Sequence, residues 1–254
     1  MRVLVVGAGG LVGAALVRAG APLGWHGLAR AGCDVTRAAD REAALRAFRP
    51  DAVVFAAAFT DVDGTTPACA AVNVEAPAAW SRQVETWFFS SNFVFDGAGP
   101  HAPGAPPRPA NLYAEQKVTA EAEVLGAGGH VVRVGWVYGP GGRTFASTAR
   151  ARLSCGETVR AIHDVLVQPT HADDVARAML PLPRGITHLA GREETSWYGY
   201  ALAVQAQVGL GRVEPVRSAE LGLGPRPRDG RLAPAELPGW RERLDRGAAE
   251  AARG

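Results

Sequence analysis

Lysine is almost missing from this 254-residue chain: one, Lys117, stands among 27 basic side chains, and all the others are arginine. An arginine bias of this kind follows most simply from genome composition. A lysine kept at one place then marks a position where a guanidinium cannot replace an ammonium, because the two differ in shape, hydration and reach. Cysteine is scarce as well. Cys33, Cys69 and Cys155 form an odd, scattered set with no C-x-x-C spacing, which points to free thiols in a reducing cytoplasm. A surplus of charge is also lacking: 27 basic against 25 acidic groups leave a net charge of +2. That excludes the electrostatic footprint of a nucleic-acid or anionic-membrane binder. No window reaches the ~20 apolar residues that a membrane helix needs. Arg2 ahead of an apolar stretch imitates a secretion signal, but four glycines within residues 7 to 13 interrupt it with turn chemistry, so a cytoplasmic protein is expected.

What is present is an alternation of strands and helices. Val3-Leu4-Val5-Val6 is a β-branched run, followed by a glycine turn and the helix-like Ala14 to Ala19. A second strand is expected over Trp25 to Ala29, an amphipathic helix over Asp40 to Phe48, and a buried strand over Asp51 to Phe55. Glu75 to Val84 reads as a helix, and Trp87-Phe88-Phe89 as a strand ending at Ser90-Ser91. Residues 97 to 109, rich in proline and glycine, must be a loop. Asn111 can cap a helix over 112 to 125 that Gly126 to Gly129 terminates before a strand at Val131 to Val134. This order predicts an α/β fold, a Rossmann-type doubly wound parallel sheet covered on both faces. Residues 1–140 with parts of 156–190 would form the nucleotide-binding domain. Residues 141–155 and 191–254 would form a smaller C-terminal substrate-binding lobe.

Gly7, Gly10 and Gly13 follow the first strand and open the first helix, the setting in which this spacing means a dinucleotide turn. Gly7 permits the tight turn, Gly10 lets the backbone of Gly10, Leu11 and Val12 approach a pyrophosphate, and Gly13 allows close packing of helix on strand. After the second strand, Arg30 stands where a guanidinium holds an adenosine 2′-phosphate, which favours NADPH and leaves NADH as the alternative. A solvated surface arginine explains Arg30 equally well. Asp34, next to Val35, suits the adenine amino group or the cap of a turn.

Tyr113 and Lys117, four residues apart on one helix, share a face one turn apart. A phenol and an ammonium so placed are a proton-transfer pair, although the spacing alone leaves a surface tyrosine beside a solvated lysine open. His163, Asp164, His171, Asp173 and Asp174 raise the question of a metal. Asp173 and Asp174 look instead like the start of a helix, and no metal is expected.

With the glycine turn, Ser90-Ser91 and Tyr113-x-x-x-Lys117 in this order, the chain resembles the extended short-chain dehydrogenase/reductases, and within them the dTDP-4-dehydrorhamnose reductase branch. The likeness runs through Cys33-Asp34-Val35-Thr36, Ala56-Ala57-Ala58-Phe59-Thr60, Val62-Asp63, Val72-Asn73 and Ser91-Asn92-Phe93-Val94-Phe95-Asp96-Gly97. It continues through Arg133-Val134-Gly135-Trp136-Val137-Tyr138, Gln168-Pro169-Thr170, Ser196-Trp197-Tyr198 and Arg226-Pro227. The resemblance implies an NAD(P)H-dependent reductase of a keto group on a nucleotide-activated deoxysugar, as a monomer or homodimer. Hydride would come from the nicotinamide and the proton from Tyr113. A free phenol titrates near 10, so Lys117 and the oxidised nicotinamide would have to supply about 4 kcal/mol to bring it towards neutrality. Ser91 would orient the carbonyl. Ala56, Ala57 and Ala58 would lie along the cofactor, and Val62, Asn92, Phe93, Trp136, Trp197 and Arg226 on the substrate side, with Arg226 and Arg228 candidates for a diphosphate clamp.

Two departures stand out: Gly64-Thr65-Thr66 replaces a charged run, and Asn92-Phe93 replaces the Asp-Tyr common after the serine. Neither residue at 92–93 serves a sugar-nucleotide dehydratase. An epimerase that retains NAD, and an NADP-binding regulatory subunit without turnover, stay open beside the reductase.

Overall fold

Each short apolar run near the N-terminus becomes a strand, and each amphipathic stretch between them a helix. The computed structural model describes residues 1–142 and 144–244. Arg143 and residues 245–254, both within stretches expected to form the smaller lobe, lie outside the described residues. In chain order come β1 (Val3–Val6), α1 (Leu11–Gly20), β2 (His26–Leu28), α2 (Ala38–Phe48), β3 (Ala52–Phe55), α3 (Ala76–Ser81), β4 (Glu85–Ser91), α4 (Leu112–Gly126) and β5 (His130–Val134). They are followed by β6 (Val137–Tyr138), α5 (Phe145–Ser154), β7 (Thr158–Ile162), β8 (Thr170–His171), α6 (Ala172–Met179), β9 (Ile186–Leu189), α7 (Trp197–Val208) and β10 (Arg212–Val216).

Six strands form one sheet in the order β2-β1-β3-β4-β5-β9, and every pair is parallel. From β1 the chain first steps to one side, to β2, and then crosses to the other, to β3. The crevice at the carboxyl ends of β1 and β3 is therefore a topological switch point. One face of the sheet is covered by α1 and α6 through Leu16, Val175 and Met179, the other by α2, α3 and α4 through Ala44, Trp80, Ala120 and Val124. A sheet buried on both faces requires apolar residues throughout its strands rather than in alternation, as β1 and β3 show.

The remaining elements build a smaller body. β7 pairs in parallel with β10, and β6 with β8. α5 and α7 enclose a core of Leu153, Tyr138, Tyr200, Val204 and Trp240. β9, from the 156–190 stretch, joins the main sheet, whereas β7 from the same stretch belongs to this second core.

The expected helix over Glu75 to Val84 begins earlier and ends earlier. A π-helical turn spans Ala71–Glu75 and α3 stops at Ser81. The wide turn places Asn73, fully buried, where its Oδ1 accepts from Phe59 N (2.9 Å) and its Nδ2 donates to Gln116 Oε1 of α4 (2.9 Å). Asn111 caps α4 as expected, accepting from Ala114 N at 2.8 Å.

Further along the buried side of α4, the guanidinium of Arg133 forks onto Glu121 at 2.9 and 2.6 Å, donates to Pro103 O at 3.0 Å and lies 4.9 Å from the Phe95 ring centre. Both side chains are buried. This pair fixes α4 to β5 and to the 97–109 loop. Glu121→Ala leaves a buried guanidinium without its counter-charge and is expected to cost about 3–5 kcal/mol in urea unfolding. Replacing both partners by apolar residues of similar volume (Arg133→Met with Glu121→Leu) is expected to recover most of that loss.

Candidate active site

A cleft of about 510 Å³ opens at the carboxyl ends of β1, β3, β4 and β5. Its floor begins at the glycine turn. Gly7 has φ +90°, and a Cβ there would stand 2.5 Å from Ala57 N; a Cβ at Gly13 would stand 2.1 Å from Gly7 O. Both positions are closed to any larger residue. Gly10, by contrast, faces the cleft and is the N-cap of α1 with no side-chain cap. The first N–H groups of α1 are therefore left for something else to satisfy.

The strand β4 and the helix α4 bring the chemical groups together. Tyr113, Lys117 and Ser91 all line the cleft and all are at least nine-tenths buried, with Lys117 only 1% exposed. Lys117 Nζ donates to Phe89 O at 3.0 Å and lies 4.6 Å from the Phe88 ring centre and 5.8 Å from that of Tyr113. Burial pulls its pKa down to about 8, with Glu121 opposing. Burial likewise pushes the Tyr113 phenol up to about 12, with the Ser91 hydroxyl alone pulling the other way. Lys117 by itself does not draw the phenol towards neutrality, and the expectation required an oxidised nicotinamide beside it. Without a ligand, desolvation outweighs any help from the ammonium, so the phenol holds its proton throughout the neutral range.

Ser91 Oγ accepts from Phe93 N (3.2 Å) and donates to Asn92 Oδ1 at 3.4 Å. Asn92 Nδ2 donates to Gly230 O at 2.8 Å, so the amide ties the end of β4 to the C-terminal segment. Phe93 meets Tyr113 edge-on at 5.9 Å. Trp136 and Trp197, 5.6 Å apart, form the opposite wall with Val165, Leu166 and Val167.

Of the positions singled out in the sequence, Gly10, Leu11, Val12, Ala56, Ala58, Val62, Asn92, Phe93, Trp136, Trp197 and Arg226 line this cleft beside Ser91, Tyr113 and Lys117. Gly7 and Gly13 lie beneath it as turn geometry. Ala57 and Val35 are packed against the core under α2, α3 and α4 and do not reach the cleft. Arg30 and Asp34 line a second, shallower cavity of about 380 Å³ over Cys33 and α2. Asp34 there caps a turn, accepting from Thr36 N (3.0 Å) and Thr36 Oγ1 (2.7 Å). Arg228 is exposed and stays outside the cleft, whereas Arg226 lines it, held by Asp63. In the group examined for metal, the His171 ring caps α6, Asp173 pairs with Arg18, and Asp174 with Arg177 and Arg243.

Sequence reasoning missed the wall at Val165–Val167, Thr60, Thr144 and Gly230. They come from irregular segments far apart in the chain, where no spacing rule announces a shared surface. Asn73 was visible only as part of a resemblance, and its spacing from Gln116 carried no signal.

The chain matches, over residues 1–243, the family model described as RmlD substrate binding domain. It is 33% identical over 232 residues to a dTDP-4-dehydrorhamnose reductase of Burkholderia thailandensis, covering 81% of this chain and 78% of that one. It is also 33% identical over 246 residues to a probable dTDP-4,6-dihydroxy-2-methyloxan-3-one 4-ketoreductase of Streptomyces antibioticus, covering 86% and 82%. Among solved structures, a dTDP-4-dehydrorhamnose reductase of Bacillus anthracis in complex with NADP superposes with a TM-score of 0.89 at 22% identity, over 96% of this chain and 97% of that one.

The buried ammonium makes a stability test. Because the folded state holds Lys117 at about 8 against an ordinary 10.5, the folding penalty is complete below pH 8 and fades as pH rises towards 10.5, above which both states are neutral. Lys117→Met is therefore expected to be more stable than the parent at pH 7 by about 1–3 kcal/mol in urea titration, less than the full desolvation term because Phe89 O loses its donor. The gap should close between pH 8 and 10.5.

Proposed function

The chain belongs to the RmlD substrate-binding family of extended short-chain dehydrogenase/reductases, and from that membership we propose that it is an NADPH-dependent reductase of a keto group on a nucleotide-activated deoxysugar. The convergence of Ser91, Tyr113 and Lys117 in one buried cleft, beside an uncapped α1 N-terminus, carries this reading. The relatives' names, dTDP-4-dehydrorhamnose reductase and a dTDP-linked 4-ketoreductase, support the substrate class.

The residues fit the cofactor. The free N–H groups of α1 suit a pyrophosphate, and Lys117, with one of its three protons committed to Phe89 O, has two left for ribose hydroxyls. Arg30 lines the second cavity just past β2, while Arg37 and Arg41 stand at the start of α2 near Asp34 and Cys33; none of the three makes an ion pair among the described residues, and Arg41 Nε is buried without a hydrogen-bond partner. A guanidinium without an ion-pair partner just past β2, with two more at the start of α2, favours a 2′-phosphate, hence NADPH. When bound, the nicotinamide supplies hydride to the keto carbon.

The protein's own part is the proton. Tyr113 Oη gives it to the carbonyl oxygen, a direction that suits a phenol protonated at neutral pH. Ser91 Oγ, its lone pair engaged by Phe93 N–H, turns its proton from the long bond to Asn92 Oδ1 onto the same oxygen and fixes its position. Lys117, protonated below pH 8, stabilises the phenolate that remains. Val62, Phe93, Trp136 and Trp197 shield the reacting carbon from water, and Arg226 addresses the substrate's diphosphate.

NADPH oxidation with dTDP-4-keto-6-deoxyglucose, alone and with a 3,5-epimerase, tests the reading. Tyr113→Phe is expected to lower turnover roughly 10²–10⁴-fold while NADPH binding persists. Tight NADPH binding without turnover of either ketone would return the field to the regulatory alternative. In the same titration, Arg30→Ala is expected to weaken NADPH about ten-fold and NADH little.

A further inference from the structure

Asp63 stands on the short turn between β3 and the π-helical segment, and it reaches across the mouth of the cleft. Asp61 folds that turn: Gly64 N donates to Asp61 Oδ1 (3.1 Å) and Thr65 Oγ1 to Asp61 O (2.8 Å). A Cβ at residue 64 would stand 2.5 Å from Asp61 Oδ2, so a larger residue there would push against the Asp61 carboxylate that holds the turn. Thr66 O takes Gln116 Nε2 at 2.9 Å, which fastens the turn to the helix that carries Tyr113.

So fixed, the Asp63 carboxylate holds the C-terminal segment. Its Oδ1 accepts from Gly224 N (2.8 Å) and Arg226 Nη1 (3.1 Å), its Oδ2 from Arg226 Nη2 (2.5 Å), and Nη1 gives its second proton to Gly224 O (3.0 Å). Three of the five guanidinium protons are spent. The two that remain, on Nε and Nη2, lie along one edge and form a planar two-donor fork, the shape that matches two oxygens of a phosphate. The Arg226 side chain is 13% exposed and lines the cleft. Asp63 stays ionised at working pH, because the Arg226 guanidinium holds its carboxyl below the ordinary range.

We infer that Asp63 is a positioning residue: it sets the free edge of Arg226 towards the cleft before substrate arrives, so that the diphosphate of a nucleoside-diphosphate substrate meets a preformed fork. This rests on the nucleotide-sugar reading above, and it assigns to the turn after β3 a part in recognising the nucleotide. The benefit is preorganisation: a flexible arginine would have to be ordered on binding, whereas this one is already ordered.

The test uses the NADPH-loaded protein titrated calorimetrically with dTDP, which carries the diphosphate without the sugar, and with thymidine, which carries neither. Asp63→Asn is expected to weaken dTDP about ten-fold, with NADPH affinity and the unfolding midpoint little changed and thymidine unaffected. Asp63→Glu should restore part of the loss. Arg226→Gln should lose at least as much, and the double variant no more than Arg226→Gln alone. In turnover, Asp63→Asn should raise KM for the nucleotide sugar more than it lowers kcat. If Asp63→Asn binds dTDP as well as or better than the parent, Asp63 is a bystander or a competitor for Arg226 and the inference falls alone. If the parent binds NADPH but not dTDP, the nucleotide-sugar reading falls and takes the inference with it.

Discussion

A single charge kept inside the protein organises the site. Lys117 carries the chain's one ammonium, almost without contact with solvent, held by one main-chain carbonyl and the face of Phe88. Burying such a group is expensive, and the surrounding structure is arranged to keep it in place. α4 presents Tyr113, Gln116, Lys117 and Glu121 on its buried side, where a helix ordinarily presents leucine and valine. Each of these polar groups has a partner on a different element: Ser91 on β4, Asn73 in the π-helical turn, Phe89 on β4 and Arg133 on β5. The helix is therefore fixed in rotation and in register by directional bonds. The apolar contacts of Ala120 and Val124 supply the burial but would tolerate a slip.

The second half of the cleft comes from a segment with almost no regular structure. Residues 222–237 cross the mouth of the cleft, joined to the half that carries the six-stranded sheet by Asp63–Arg226, Asn92–Gly230 and Gly99–Asp229, and to the segment before β8 by Gln168–Leu232. A loop held by two of its side chains and two of its backbone groups can lie along the cleft without a helix or strand to support it. It also leaves the cleft's outer wall dependent on few contacts, which suits a region that meets substrate.

Much of this was legible in the sequence because it rests on local rules. The strand, glycine turn and helix at residues 3–20 need little more than apolar runs, a φ that glycine favours and close backbone approach. Asn111 as a cap and Tyr113 with Lys117 on one face follow from helix geometry alone. What escaped depends on long-range packing. The π-helical turn at Ala71–Glu75 is called for by a hydrogen bond from Asn73 to α4, not by any propensity of Ala71 or Val72. The raised phenol of Tyr113 is a result of burial, which no spacing reveals. Arg226 and Arg228 are indistinguishable as letters two apart, and only the fold turns one towards Asp63 and the other to solvent.

The burial of Lys117 also empties the surface of primary amines. With the chain's terminal amine set aside, nothing on the outside of this protein offers an amine for acylation, reductive methylation or crosslinking. An amine-selective reagent that labels an internal position can only have entered the cleft, so the extent of that labelling would report how often the cleft opens and how well a bound ligand closes it.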